Sequence, residues 1–182
     1  CGAIIFVVGF VVFFVWRIMV VGEKEETERE VARIHATKLA VADVMGERLP
    51  APSGVEGPLD YDDTVIGIDE NKNGIRDDVE LAIFAAYPNS ARTRAVLLQY
   101  ALALQMEVTQ ELVNTGTVVA VAQVGDKALN CIWSISSRAD REKFIRETAE
   151  NEEFVKSRQL NNEPRKQAQK TFYEGNLDSY AS

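Results

Sequence analysis

The chain has 182 residues, with 20 lysines and arginines against 28 aspartates and glutamates, and a formal net charge of −8 at pH 7. This length allows one domain with a substantial core. The acidic balance argues against nucleic acid as a partner, because phosphate binding requires a basic face. One histidine, His35, and two cysteines, Cys1 and Cys131, cannot supply the usual zinc and iron ligand clusters.

The first segment of the chain is apolar. Residues 2–22 contain one charged residue, Arg17, and as a helix they would be about 30 Å long, enough to cross the hydrocarbon of a bilayer. A signal peptide is not expected, because the segment has no basic n-region and is longer than an h-region. Residues 1–22 are therefore predicted to form a transmembrane or filament-core helix, with Arg17 snorkelling to an interface.

An amphipathic helix is predicted to continue the apolar one. Residues 23–46 begin with a charged run and then carry Val31, Ile34, Val41 and Met45 near helical spacing, with Gly46 as the stop signal. Residues 47–66 contain three prolines and several acids, which is typical of a linker. Residues 1–46 are thus expected to form one long rod joined by a linker to residues 67–182.

This rod resembles the N-terminal helix of type IV pilins, in which an apolar half packs in the filament core and an amphipathic half lies under a globular head. Pilins usually carry a glutamate at the fifth mature position, and this chain has Ile5 there. The pair Cys1-Gly2 also looks like the start of a processed lipoprotein. The pilin resemblance implies that residues 2–22 bind copies of the same chain or other membrane subunits, with membrane contact at least before assembly.

Residues 69–80 match the calcium-loop pattern D-x-N-x-N-G-x5-E at every constrained position. Calcium takes oxygen ligands, and alternate residues of a tight loop can direct oxygens at one centre. Gly74 would permit the sharp turn. The expected ligands are the side chains of Asp69, Asn71, Asn73, Asp77 and Glu80, with Asp77 binding directly or through water and Glu80 with both oxygens, and the carbonyl of Ile75.

A plain capped turn is the alternative interpretation of this segment. Asp77 and Glu80 stand in the spacing of a capping box, but that explanation leaves the other constrained positions to coincidence. An entering helix is not evident in residues 60–68, and Asp60, Asp62 and Asp63 are expected to belong to the linker.

The loop resembles those of dockerins and of the thrombospondin calcium repeats. Together with residues 98–105 and 160–173, it also resembles a family of exported bacterial proteins over residues 64–178. That resemblance implies an extracytoplasmic helical domain with a calcium loop, and it brings no activity with it.

Helical patterns follow the loop, so the predicted fold is mainly α. Helices are expected at 79–87, 90–113, 138–150 and from a cap at Asn162 to Gly175, with Ser136 or Ser137 as a further cap. Residues 117–133 fit a strand or a buried helix, and the helix is favoured because partner strands are not evident. Cys131 is expected to be a buried thiol, and His35 to be solvated or packed.

The sequence contains no catalytic motif of the serine-hydrolase, dinucleotide or zinc-protease type. The prediction is a non-catalytic structural subunit, anchored through residues 2–22 in a pilus-like filament or membrane complex, with a calcium-stabilised head outside the cytoplasm. The alternative is a single-span periplasmic module that binds or senses calcium.

Overall fold

A computed structural model of the chain describes residues 2–50, 61–111 and 114–177, and over these ranges the fold is built from α-helices without any strand. This confirms the mainly α prediction, including the helix over residues 117–133. The helices are α1 (Gly2–Ala36), α2 (Val41–Met45), α3 (Asp77–Ala86), α4 (Ala91–Thr109), α5 (Thr115–Ile135), α6 (Arg141–Gln159) and α7 (Glu163–Leu177).

Helices α2 to α7 form a helical bundle, called the head below, and α4 lies at its centre. It packs against α2, α3, α5, α6 and α7, and every residue from 100 to 107 is buried. A helix that is buried on nearly all sides must be largely apolar, as in the segment Leu97, Leu98, Ala101 and Leu102. The core around it is completed mainly by side chains of α3, α5 and α6, namely Val79, Ile83, Val118, Val121, Ile132 and Val155.

Polar side chains cap the N-termini of α5, α6 and α7. Asn114 Oδ1 accepts the backbone N–H of Gly116 at 2.9 Å before α5, and Asp140 Oδ1 accepts that of Lys143 at 3.0 Å before α6. Asn162 Oδ1 accepts the N–H of Arg165 at 3.0 Å, so the predicted cap of α7 is confirmed. Each such cap satisfies a donor that has no partner within its helix.

The rod differs from its prediction. Helix α1 ends at Ala36, and residues 37–40 separate it from the short α2, so the helix predicted over 23–46 is interrupted. The second half of α1 packs against α5 and therefore belongs to the head, where Ile34 is 1% exposed. The break lets α2 turn onto α4, where Arg94 Nε donates to the carbonyl of Val44 at 3.1 Å.

The apolar side chains of α1 whose exposure the structure describes, from Phe10 to Val21, are not covered by the rest of the described chain. Phe10, Phe13, Phe14, Trp16 and Met19 are each between 56% and 64% exposed. In the part of the chain that could be searched, no helix meets the length and apolarity that crossing a membrane requires.

Three smaller predictions are wrong. Asp140 caps α6 instead of Ser136 or Ser137, and Gly175 lies inside α7 instead of ending it. Cys131 is exposed, because its position on α5 faces away from the core. His35 is solvent-exposed, as expected. Residues 51–60 of the predicted linker, with Asp60, lie outside the described residues.

Candidate metal centre

The backbone of residues 69–76 forms a tight loop that leads into α3. Lys72 and Gly74 adopt left-handed conformations, with φ of 56° and 85°. Only glycine adopts this conformation without strain, and a Cβ at Gly74 would also lie 2.7 Å from Leu102 Cδ1. The N–H of Asp77 donates to the carbonyl of Ile68 at 2.9 Å and closes the loop at its base. No helix occurs in residues 61–68, as the sequence indicated.

Asp69 lies inside the turn of the loop. Its Oδ1 accepts the backbone N–H of Asn73 at 3.1 Å, and its Oδ2 accepts that of Gly74 at 2.8 Å. Successive N–H groups that converge on one carboxylate fix its direction. The first residue of the predicted ligand set is therefore positioned by the turn that Gly74 permits.

Three of the predicted ligands, Asn71, Asn73 and Glu80, are joined by hydrogen bonds. Glu80, in the first turn of α3, accepts the side-chain amide of Asn71 on Oε2 at 2.9 Å and that of Asn73 on Oε1 at 3.0 Å. The amide oxygens of these two residues accept the N–H groups of Asn73 and Ile75, at 3.1 and 2.9 Å. The spacing of the sequence pattern thus brings positions 71, 73 and 80 together across the loop.

Asp77 and Ile75 complete the predicted set, at the end of the loop. Asp77 is 1% exposed and accepts the backbone N–H of Glu70 at 3.2 Å on each carboxylate oxygen. The side chain of Ile75 is fully buried in the core. The loop is therefore anchored to the head from within, through an apolar side chain that sits between its polar ones.

Asp77 and Glu80 are buried, and no cationic side chain of the described residues forms an ion pair with either. Burial raises the pKa of Glu80 from 4.5 to about 7, and the hydrogen bonds from Asn71 and Asn73 oppose that rise. Burial also raises the pKa of Asp77 from 3.8 to about 6, against the hydrogen bond from Glu70. The adjoining guanidinium groups are engaged elsewhere, since Arg48 pairs with Asp43 at 2.6 Å and Arg76 with Asp78 at 2.5 Å.

The donor set fits a hard cation. Carboxylate and amide oxygens are the ligands that calcium takes, and an unpaired buried carboxylate favours any bound positive charge. Among the residues that could be searched, no three carboxylate, imidazole or thiol groups converge as a metal-binding cluster. The cluster around Glu80 differs in kind from such a group, because two of its members are amides.

Two fully buried arginines connect the loop to the C-terminal helices. The first is Arg76, within the loop. Its Nη1 donates to the carbonyl of Gln159 at 3.1 Å, and its Nη2 donates to the carbonyl of Arg158 at 3.2 Å. The free carbonyls at the end of a helix need such donors. The loop therefore caps the C-terminal end of α6.

Arg165 of α7 is the second buried arginine, and it donates to backbone carbonyls of the segment before the loop. Its guanidinium donates to the carbonyls of Tyr61 and Thr64, at 2.5 and 3.0 Å, and pairs with Asp62. Gly67, with φ of 74°, lies between the two arginines, and a Cβ there would lie 2.5 Å from Arg76 Cδ. Sequence reasoning missed both arginines, because surface arginines are the rule and the carbonyls they bind are remote in sequence.

Comparison with known protein families, with curated proteins and with solved structures finds no match for this chain.

Proposed function

We propose that the chain is a non-catalytic structural subunit whose head is stabilised by calcium and whose N-terminal helix joins it to other subunits. The observation that supports it best is the loop, where Glu80 and Asp77 are buried amid further oxygen ligands and form no ion pair with a described side chain. A bound calcium ion would supply the missing positive charge.

Calcium binding would require one local rearrangement. The amide nitrogens of Asn71 and Asn73 are directed at Glu80, in the region where an ion would make its contacts. Rotation of each amide about its terminal torsion would turn its oxygen toward the ion, and the bonds that these oxygens now accept from the N–H groups of Asn73 and Ile75 would be given up. Asp69, Asn71, Asn73, Asp77 and Glu80, with the carbonyl of Ile75, would then hold the ion.

The proposed role of the ion is mechanical. A calcium ion wrapped by protein oxygens has little room for a substrate, whereas it ties a loop firmly to the helix that follows. The loop also carries Arg76, which reaches the end of α6. The ion would therefore support the junction of α3, α6 and α7.

The second part of the proposal concerns the exposed half of α1. Soluble monomers rarely leave a contiguous apolar surface of this kind uncovered, and large aromatic side chains follow one another from Phe10 to Trp16. We propose that these residues pack against the same helix of other copies in a filament or membrane complex. The head would then face an extracytoplasmic medium, where calcium is abundant enough for loops that bind at about 10⁻⁴–10⁻³ M.

Two adjacent acids provide a matched test of the calcium site. Asp69 is a proposed ligand and Glu70 is an exposed neighbour, so Asp69→Asn and Glu70→Gln remove the same charge within one loop. Calcium titration calorimetry on the full chain in detergent should show affinity at least about tenfold weaker for the first variant and nearly unchanged for the second. Equal affinities, or no binding by the unmodified chain at about 10 mM calcium, would refute the proposal.

Assembly is tested with the same substitution at two exposed apolar sites. Phe14 lies on the uncovered half of α1 and Ile145 on α6, and they are 57% and 54% exposed. Phe14→Glu should abolish assemblies seen by electron microscopy and sedimentation, while Ile145→Glu should leave them intact. Assembly by both variants would exclude α1 as the contact.

A calcium sensor is the second candidate, and the bond from Arg76 to α6 favours it because it links the ion site to a distant helix. The two functions differ in one observable. A structural ion raises the melting temperature with little change in shape, whereas a sensor changes its scattering profile or the hydrogen exchange of α6 and α7 when calcium is added.

A further inference from the structure

A cavity of about 270 Å³ opens among α4, α5, α6 and α7, and it shares no residue with the calcium loop. Its floor and walls include Tyr100, Leu104 and Glu107 of α4, Gly125 of α5, and Gln169 and Tyr173 of α7. Ligand pockets for drug-sized molecules are typically about 300–1,000 Å³. The volume of this cavity therefore suits a ligand of few heavy atoms.

Glu107 is the chemical centre of the cavity. Its side chain lies on a residue that is 6% exposed, and its carboxylate is held by two neutral donors of α7. Tyr173 Oη donates to Oε1 at 2.6 Å, and Gln169 Nε2 donates to Oε2 at 2.5 Å. These bonds fix the direction of the carboxylate and bring no positive charge, and burial raises the pKa of Glu107. A buried carboxylate in this condition favours any cation that can reach it.

The other charged residues that line the cavity offset the charge of Glu107 only in part. Asp126 and Glu152 add negative charge, and Lys156 supplies the one ammonium group of the lining. Lys156 is exposed and makes no ion pair with Glu107 in the described part of the chain, although its charge lowers the pKa of Glu107 against the rise that burial causes. The lining therefore has more negative than positive charge, which concentrates cations at the opening.

The cavity also leaves room in front of the carboxylate. Gly125 is one of the α5 residues that line the cavity, and a Cβ there would be in contact with Glu107 Oε1 at 3.5 Å, so the glycine leaves methyl-sized space beside the carboxylate. Leu104, Leu129 and Tyr100 also line the cavity and provide apolar and aromatic surface. A ligand with a positive end and a short hydrocarbon chain could thus place its charge on Glu107 and its hydrocarbon chain against the leucines.

We propose that this cavity binds a small protonated aliphatic amine, with its ammonium group on Glu107. An ammonium group has three donors and can use the carboxylate lone pairs that Tyr173 and Gln169 leave free. The short alkyl chain lies against Leu104, and Tyr100 offers its ring to the cation. This site is independent of calcium and of the assembly of α1.

The test uses n-butylamine as the probe, with n-butanol and butyrate as neutral and anionic analogues. Binding to the full chain in detergent is measured by calorimetry and by saturation-transfer NMR. The isosteric change Glu107→Gln should weaken n-butylamine binding at least about tenfold, since it removes a hydrogen bond to a charged group. The control Glu142→Gln removes an equal charge at an exposed site of α6 and should change affinity little.

A second variant keeps the proposal falsifiable if Glu107→Gln perturbs folding. Lys156→Met removes the ammonium group at an exposed position and should tighten n-butylamine binding, because it removes a like charge from the lining. Three results would overturn the proposal: no binding of n-butylamine by the unmodified chain below about 10 mM, equal binding by the folded Glu107→Gln variant, or binding of butyrate that Lys156→Met abolishes.

Discussion

Glu80→Gln should have opposite effects on stability in the absence and in the presence of calcium. The substitution keeps the shape of the side chain and removes its charge. Without the ion, that charge opposes folding, because burial raises the pKa of Glu80 from 4.5 to about 7. With the ion, the same charge is a ligand. One variant therefore tests both the electrostatics of the loop and its proposed function.

The metal-free effect follows from linkage. A carboxyl whose pKa is higher in the folded state holds its proton more tightly there, so the free energy of unfolding falls as the pH rises from 4.5 to about 7. Below this window the penalty is absent, and above it the penalty is about 3 kcal/mol. Glutamine has a single acceptor oxygen, so one of the bonds from Asn71 and Asn73 becomes neutral and the other is lost, at a cost of about 1–2 kcal/mol. The variant should therefore be more stable than the unmodified chain by about 1–2 kcal/mol at pH 8 with chelator.

Calcium should reverse the order of stability of the variant and the unmodified chain. At a free concentration of about 100 times Kd, binding stabilises the unmodified chain by about 2.7 kcal/mol. The variant lacks the carboxylate that was expected to bind with both oxygens, so its stability should stay near the chelated value. The unmodified chain should then be the more stable of the two by about 1 kcal/mol.

The assay is thermal unfolding by circular dichroism at pH 8, with chelator and with calcium, and again at pH 4. For a chain of this size, about 1 kcal/mol corresponds to about 2–4 °C in melting temperature. The curves of the two proteins should cross between the chelated and calcium-loaded conditions, and the metal-free difference should vanish at pH 4. A variant less stable than the unmodified chain in chelator at pH 8 would refute the assigned electrostatic penalty, and equal calcium stabilisation would refute the ligand role.

Two substitutions near the loop and one labelling experiment on α5 give further tests. Gly67→Ala should destabilise the chain by about 1–3 kcal/mol, because φ is 74° and the new Cβ would lie 2.5 Å from Arg76 Cδ; an unchanged melting temperature would contradict this. Arg165→Met should cost about 2–4 kcal/mol in chemical unfolding, since the carbonyls of Tyr61 and Thr64 lose their donors, and a loss below about 0.5 kcal/mol would contradict it. Cys131 should react with maleimide in the folded protein, as peptide mapping by mass spectrometry can verify, because it is exposed; protection until unfolding would contradict this.

The helices of the head could be predicted from sequence because their signals are local. Apolar periodicity identified α4, and the Asn162 cap identified the start of α7. The break at residues 37–40 carries no proline or glycine. It arises because α2 turns to meet Arg94 of α4, a contact between segments distant in the chain, and helical spacing gives no sign of it.

The candidate site divides in the same way. The spacing of Asp69, Asn71, Asn73 and Glu80 is a local property, and the structure brings Asn71, Asn73 and Glu80 together as that spacing predicts. What the pattern did not predict is the direction of the two amides, which donate to Glu80. A pattern of residue types does not specify amide orientation, because that orientation follows from the donors and acceptors that each amide meets in the folded loop.

The burial of Arg76 and Arg165 was also unpredictable, and it determines how far an effect at the loop can reach. Each guanidinium donates to backbone carbonyls of a segment far along the chain. Moving the loop would leave these carbonyls without a donor, at a cost of about 1–3 kcal/mol each. The loop, the segment before it and the α6–α7 junction should therefore open together. Hydrogen exchange should report one shared opening free energy for α3 and the C-terminal end of α6, and calcium should raise both by the same amount, since an ion that closes the loop also holds Arg76 against the end of α6.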